Sequence, residues 1–310
     1  MPSQISYIVT GGNTGLGLEA ACTLATISAA HIVIASRSAG PAMEAAERIR
    51  TEGGHASYLP LDLLSQASVR AFADGFRIAE LPPLAGIVCN AGMQNVTTPT
   101  TSAEGYEATF AVNHLGHYLL VRLLLDDIIE GGRISVVASG THNPEETTGM
   151  PDPHYETAEA VAHDLEEGRI QGMRRYTTSK LCNVFFTYEL NRLLKASDDA
   201  RLRSIRVNAF DPGLMPATGL ARSWPTPMRW IARNLLPLAG LFNDNVHSPA
   251  VSGSRLAELT TGPSAEPGGL YFRNGKPFPS SKQSHNDTQA RELWETSARM
   301  TGLPINLQTR

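Results

Sequence analysis

The sequence carries no surplus of positive charge: Lys and Arg total 26 against 30 Asp and Glu, for a net charge of -4. That balance gives no general attraction to nucleic acid or anionic lipid. Cysteine is scarce, with only Cys22, Cys89 and Cys182, and none stands in a CxxC pair or a Cys/His cluster that would hold zinc. An odd, scattered set of thiols points to a reducing compartment. No uninterrupted apolar run reaches the length of about 18 residues that a membrane span needs, and "MPSQISYIVTGG" has no charged region followed by an apolar one. A soluble, cytoplasmic protein is the expectation.

What is present is alternation. The runs "ISYIVT" (5–10), "HIVIAS" (31–36), "ASYLPL" (56–61), "LAGIVCN" (84–90) and "RISVVAS" (133–139) are short, apolar and rich in β-branched residues. Helical patterns separate them, including "AMEAAERIRTEG", "SQASVRAFADGF" and the long "AEGYEATFAVNHLGHYLLVRLLLDDII". Two further strands are expected at "IRVNAF" (205–210) and "GGLYF" (268–272). Strands alternating with helices predict an α/β fold, a doubly wound parallel sheet of seven strands covered on both faces. No repeat, low-complexity tract or linker divides the chain, so 1–310 reads as a single domain.

The first strand runs directly into "TGGNTGLGLEAA". Gly11, Gly15 and Gly17 permit a tight turn, close approach of backbone to a pyrophosphate, and close packing of the next helix, whose N-terminal amides attract phosphate. A glycine-rich turn alone is weak; between a strand and a helix it marks a dinucleotide site. After the second strand, where a carboxylate would bind a ribose 2′-hydroxyl, the chain has Ser36 and Arg37. A guanidinium can hold a 2′-phosphate in a two-pronged grip. NADP(H) is therefore favoured over NAD, against the blander reading of a solvated arginine.

In "RRYTTSK", Tyr176 and Lys180 are four residues apart, nearly on one helical face. An ammonium beside a phenol favours the phenolate and lowers its pKa, which suits proton transfer. By itself the pair reads first as an ordinary exposed helical face, and the rest of the chain has to decide.

"TGGNTGLG", Asp62 after the third strand, "NAG" at 90–92, "NHLGH" at 113–117, Ser139, "YTTSK" and "DPG" at 211–213 follow in an order that resembles the short-chain dehydrogenase/reductase family over nearly the whole chain. Within it, "TSAEGYEATFAVNHLGHYLLVRLLLDD" and "YTTSKLCNVFFTYEL" resemble the retinol dehydrogenases and light-dependent protochlorophyllide reductases, which use NADPH and bulky apolar substrates. The resemblance implies a Rossmann fold, with Tyr176 as general acid/base and Lys180 tuning it and holding the nicotinamide ribose. It further implies that Ser139 bonds the substrate carbonyl and Asn113 supports a water-linked proton relay. For the cofactor it implies contacts from Gly11, Asn13, Thr14, Gly15, Leu16 and Gly17, and from Ser36 and Arg37. Asp62 and Leu63 fall on the adenine side, Asn90, Ala91 and Gly92 beneath the cofactor, and Pro212 and Gly213 by the nicotinamide, with Tyr176 and Lys180 at the ribose. Asp62 is also a candidate helix N-cap. The family often has a threonine beyond the glycine of "DPG"; here the nearest is Thr218, displaced by a proline and an alanine.

Two segments depart from the family. The stretch from Ser139 to Tyr176 is much longer than usual, and the polar, acidic insertion at about 140–172 reads as an excursion at the site's rim rather than core. It is a substrate-shaping cover or a surface loop of no catalytic consequence. Its His142, His154 and His163 lack metal-ligand spacing and read as solvated, so no metal site is expected. The segment at about 214–246, with Trp224, Met228, Trp230, Leu235, Leu236 and Phe242, corresponds to the family's mobile lid. An apolar, aromatic lid suits a hydrophobic small-molecule substrate, although its arginines also permit peripheral membrane contact. Cys182 matches a cysteine of the protochlorophyllide reductases but lies some 120° from Tyr176 around the helix, which predicts a buried structural thiol. Three functions follow in order: an NADPH-dependent carbonyl reductase or reverse dehydrogenase, a C=C reductase like protochlorophyllide reductase, and a nicotinamide-binding sensor without chemistry. The oligomeric state is not set by the sequence.

Overall fold

The computed structural model describes residues 5–28, 30–215, 247–262 and 267–307. Eight strands form one sheet in the order β3-β2-β1-β4-β5-β6-β7-β8. They are β1 (Ser6–Thr10), β2 (His31–Ser36), β3 (His55–Pro60), β4 (Leu84–Cys89), β5 (Ile128–Val137), β6 (Arg206–Asp211), β7 (Tyr271–Arg273) and β8 (Lys276–Pro277). The first seven run parallel, and β8 turns back antiparallel against β7. The sheet has one strand more than the sequence predicts, because two residues, Lys276 and Pro277, carry no alternation.

The helices are α1 (Gly15–Ser28), α2 (Ala39–Thr51), α3 (Gln66–Ile78), α4 (Ala108–Phe110), α5 (Gly116–Leu124), α6 (Ala158–Ala162), α7 (Arg169–Lys195), α8 (Ala200–Ser204), α9 (Pro249–Thr261) and α10 (Asp287–Thr301). Successive strand residues face opposite layers, as the two-residue period demands. Tyr7 and Val9 join the core with Leu24, Ile49 and Leu256 from α1, α2 and α9. Ile8 joins the other, with Phe72, Leu120 and Phe186 from α3, α5 and α7. This is the doubly wound arrangement, and it opens at the C-terminal ends of the parallel strands, where such sheets bind ligands.

The long helical pattern after residue 103 is broken twice. A π-helical turn, Ala111–Leu115, separates α4 from α5, and Ile128 and Ile129 belong to β5 rather than the helix. The expected strand at 268–272 begins instead at Tyr271.

The insertion is not merely a rim excursion. Tyr155, Ala158, Val161 and Ala162 are buried in a cluster with Phe110, Leu181, Cys182 and Phe185. The Tyr155 hydroxyl donates to Glu292 at 2.6 Å, and Glu107 N–H donates to the Ala162 carbonyl at 2.7 Å. Its second half is core because it supplies apolar side chains to a face of α7 that would otherwise meet water.

Candidate active site

The turn after β1 builds the phosphate cradle. Gly15 opens α1 with φ +55°, and a Cβ there would meet nothing within 4 Å, which leaves the helix N-terminus accessible. Gly17 is the opposite case: a Cβ would stand 2.4 Å from the Gly11 carbonyl and from Asn90 Nδ2, so the helix can approach the turn only without a side chain. Asn90 Nδ2 donates to the Thr10 carbonyl at 2.8 Å, which ties the 90–92 loop to the cradle. Thr10 Oγ1 accepts from Asn90 N–H at 2.9 Å and Ala91 N–H at 3.0 Å, a tie that no motif singled out.

At the end of β2, Ser36 is buried and its Oγ accepts from Ser38 N–H at 3.3 Å. Arg37 is exposed, with no hydrogen bond or ion pair among the described residues. Asp62 follows β3, where its Oδ1 accepts from Leu64 N–H at 3.0 Å, and Leu63 beside it is buried. Ser65 caps α3, bonding Ser68 N–H at 3.3 Å, so Asp62 is not the N-cap.

Asn113 sits inside the π-helical turn, the kind of local widening that often marks functional positions. Its side chain is fully engaged: Oδ1 accepts from Met93 N–H at 2.8 Å, and Nδ2 donates to the Met93 carbonyl at 3.0 Å and Ser179 Oγ at 2.9 Å. Its carbonyl lies 3.2 Å from His117 Nδ1, and His117 Nε2 lies 2.8 Å from Thr10 Oγ1. Burial pushes His117 down to about 4, so the ring is neutral. A Cβ on Gly92 would stand 3.3 Å from Asn113 Oδ1 and 3.8 Å from Lys180 Nζ, which brings these three residues together.

Tyr176 and Lys180 lie one turn apart on α7 and are both buried. Lys180 Nζ is 5.5 Å from the Tyr176 ring centre and donates to the Val137 carbonyl at 3.0 Å, at the end of β5. Ser139 follows two residues later, half-buried, its Oγ accepting from Thr141 N–H at 3.3 Å. That bond occupies a lone pair and leaves the hydroxyl proton to be donated.

The electrostatics differ from the expectation. Burial, aided by the Asp211 charge, pushes the Tyr176 phenol up rather than down. Lys180 is pushed down to about 8 by burial, with Asp211 opposing. Desolvation wins because both groups lie inside the protein, and the Lys180 ammonium is turned to Val137 rather than bonded to the phenol. Asp211 is the first residue of "DPG". It is buried at the end of β6, with Oδ1 accepting from Gly213 N–H at 3.0 Å.

His142 is buried, not solvated, whereas His154 and His163 are exposed. Cys182 is fully buried beside Tyr155 and Phe185, and burial pushes its thiol up. Thr218 and the aromatic lid residues from Trp224 to Phe242 lie outside the described residues. Among the described residues, no helix is long and apolar enough to cross a membrane, and no group of three His, Cys, Asp or Glu could hold a metal.

A family model for short chain dehydrogenases matches residues 6–150. The protochlorophyllide reductase of Avena sativa is 33% identical, across 96% of this chain and 99% of that protein. The chain belongs to the short chain dehydrogenase family. This oxidoreductase also resembles the WW domain-containing oxidoreductase of Danio rerio, at 35% identity over 94% of this chain and 67% of that one. A putative uncharacterized protein from Mycobacterium Paratuberculosis shares its fold with a TM-score of 0.71 and 25% identity, over 99% of this chain and 97% of the other. The angucycline C-6 ketoreductase LanV with bound NADP shares the fold at 21% identity and a TM-score of 0.63, over 88% of this chain and 95% of LanV.

Proposed function

We propose that this short chain dehydrogenase uses NADPH to reduce a carbonyl attached to a bulky apolar body, or runs the reverse oxidation, with Tyr176 as general acid/base. The observation that carries this reading is the convergence of Gly92, Asn113 and Lys180, with Tyr176 one turn away on α7 and Ser139 two residues beyond the Val137 carbonyl that Lys180 holds.

The chain fits a phosphorylated dinucleotide. The open Gly15 position leaves the N-terminus of α1 free for a pyrophosphate, and the unpaired Arg37 guanidinium suits a 2′-phosphate. Asn13, Thr14 and Leu16 complete the cradle, Asp62 and Leu63 take the adenine side, and Pro212 and Gly213 close the nicotinamide end. When bound, the nicotinamide supplies the hydride that reduces the carbonyl carbon.

The protein's own part is position and protons. As the substrate oxygen gains negative charge, the Ser139 and Tyr176 hydroxyls both donate to it, and this stabilises the transition state more than the ground state. The Tyr176 O–H bond then breaks, its proton goes to the substrate oxygen, and the electron pair stays on the phenolate. Burial holds the phenol protonated, the state from which it can donate. The Lys180 ammonium stabilises the phenolate electrostatically. Asn113, whose carbonyl keeps a second lone pair beside His117, supports the water that returns the proton.

An apolar substrate is supported by the tryptophans and leucines of 220–242. The free cysteines suit a cytoplasmic setting. The second reading, reduction of a C=C bond, is favoured by the identity with protochlorophyllide reductase. Replacing Tyr176 with Phe removes one hydroxyl. It should leave NADPH binding intact and cut reduction by about 10² to 10⁴, measured as NADPH oxidation over a panel of aromatic, terpenoid and polycyclic ketones and aldehydes. Near-normal turnover in Tyr176→Phe would sink the proton-donor role, and light-dependent turnover of a porphyrin would establish the second reading.

A further inference from the structure

The segment that follows Ser139 is gripped by charged groups from three parts of the chain. Gly140–His142 is a 3-10 turn. A Cβ on Gly140 would stand 2.7 Å from Arg273 Nη2, 2.9 Å from Glu146 Oε2 and 3.2 Å from Asp211 Oδ2. Arg273, at the end of β7, pairs in register with Asp211 at the end of β6. Its Nε donates to Asp211 Oδ2 at 2.8 Å and its Nη2 to Glu146 Oε1 at 2.7 Å. Asp211 Oδ2 also accepts from the Tyr271 hydroxyl at 2.9 Å, and Oδ1 accepts from Gly213 N–H. The Arg273 side chain is 10% exposed and its guanidinium lies 4.3 Å from the centre of the Phe278 ring.

His142 grips the same turn from another side. Its Nε2 accepts from Ser281 N–H at 3.0 Å, and its Nδ1 is 2.7 Å from the Ser139 carbonyl. A backbone N–H can only donate, so Nε2 is the bare nitrogen and Nδ1–H donates to Ser139. Burial keeps this ring neutral by pushing its pKa down.

We propose that Arg273 is a positioning residue that clamps the first turn of the insertion to the loop after β6, fixing Ser139 relative to Pro212 and Gly213. The clamp rests on the reductase reading of Ser139 and Tyr176, and it deepens that reading: the first turn of the insertion sets catalytic geometry. Two carboxylates, Asp211 and Glu146, converge on one guanidinium. Without it they would be like charges facing each other in a largely buried site, and the two loops would separate. Asp211 is also the charge that acts on Tyr176 and Lys180, so its placement bears on proton transfer as well as on Ser139.

Arg273→Met and Arg273→Lys in the full chain test this. Hydrogen exchange read by mass spectrometry needs no substrate. In Arg273→Met, exchange in 139–147 and in 211–214 should rise together by about tenfold or more, while β1 to β4 stay protected. On a ketone that the wild type reduces, kcat should fall about 10- to 100-fold with KM for NADPH within a few-fold, as expected for misplaced rather than missing groups. Arg273→Lys, which restores the charge but not the fork, should recover part of that loss. If Arg273→Met does not fold, Glu146→Gln, which removes only the outer arm, should shift exchange and kcat in the same direction. Exchange rising only within 271–278, or kcat within twofold of wild type, overturns the clamp. Tyr176→Phe in the same assay separates the two ideas: normal turnover there removes the reductase reading but leaves the exchange coupling standing.

Discussion

Lys180→Met should make the protein more stable while disabling it. The Lys180 amine falls from its ordinary 10.5 to about 8 because it is buried. At about 1.4 kcal/mol per pH unit, holding the charged form inside the fold at pH 7 costs about 3 kcal/mol. The sign follows from proton counting: between pH 8 and 10.5 the unfolded chain binds more protons than the folded one, so wild-type stability rises with pH across that window. Methionine removes the charge at similar length. It also removes the bond from Nζ to the Val137 carbonyl, worth about 1 kcal/mol. That carbonyl is not orphaned, because Asn183 Nδ2 still donates to it at 3.0 Å. The net gain should be about 2 kcal/mol at pH 7, shrinking toward a small loss above about pH 10. Urea unfolding without added nucleotide reads it directly, as a midpoint roughly 1 M higher at pH 7 and a smaller difference at pH 9.5. NADPH oxidation by the same variant should nearly vanish. A variant less stable than wild type at pH 7, or a gain that does not change between pH 7 and 9.5, would refute the claim that Lys180 is held charged at a cost.

Arg37→Glu replaces a free guanidinium with a like charge for a 2′-phosphate, so affinity should fall much more for NADPH than for NADH; equal losses in a fluorescence titration would reject the phosphate clamp. Cys182→Ser puts a hydroxyl among Tyr155, Phe185 and Leu181. It should lower stability by about 1 to 2 kcal/mol in urea unfolding yet leave kcat within a few-fold. A loss of turnover as large as that of Tyr176→Phe, in a folded variant, would instead give the thiol a part in the chemistry.

The sequence determined by itself whatever depends on local pattern. Runs such as "HIVIAS" form strands because β-branched residues suit a sheet buried on both faces, and β2 spans the residues that the pattern marks. The glycine turn was legible because a strand, Gly11, Gly15, Gly17 and a helix are contiguous. Tyr176 and Lys180 were legible because one helical turn brings them together. What depends on distant partners was not. Arg273 is 62 residues from Asp211 and 127 from Glu146, with no motif to join them. His142 looked solvated within a polar segment, and only the packing of that turn against Ser281 and Tyr271 buries it. The titration of Tyr176 reversed expectation for the same reason. Spacing places the two side chains on one face, but packing against β5 and β6 buries them, and desolvation pushes the phenol up and the amine down.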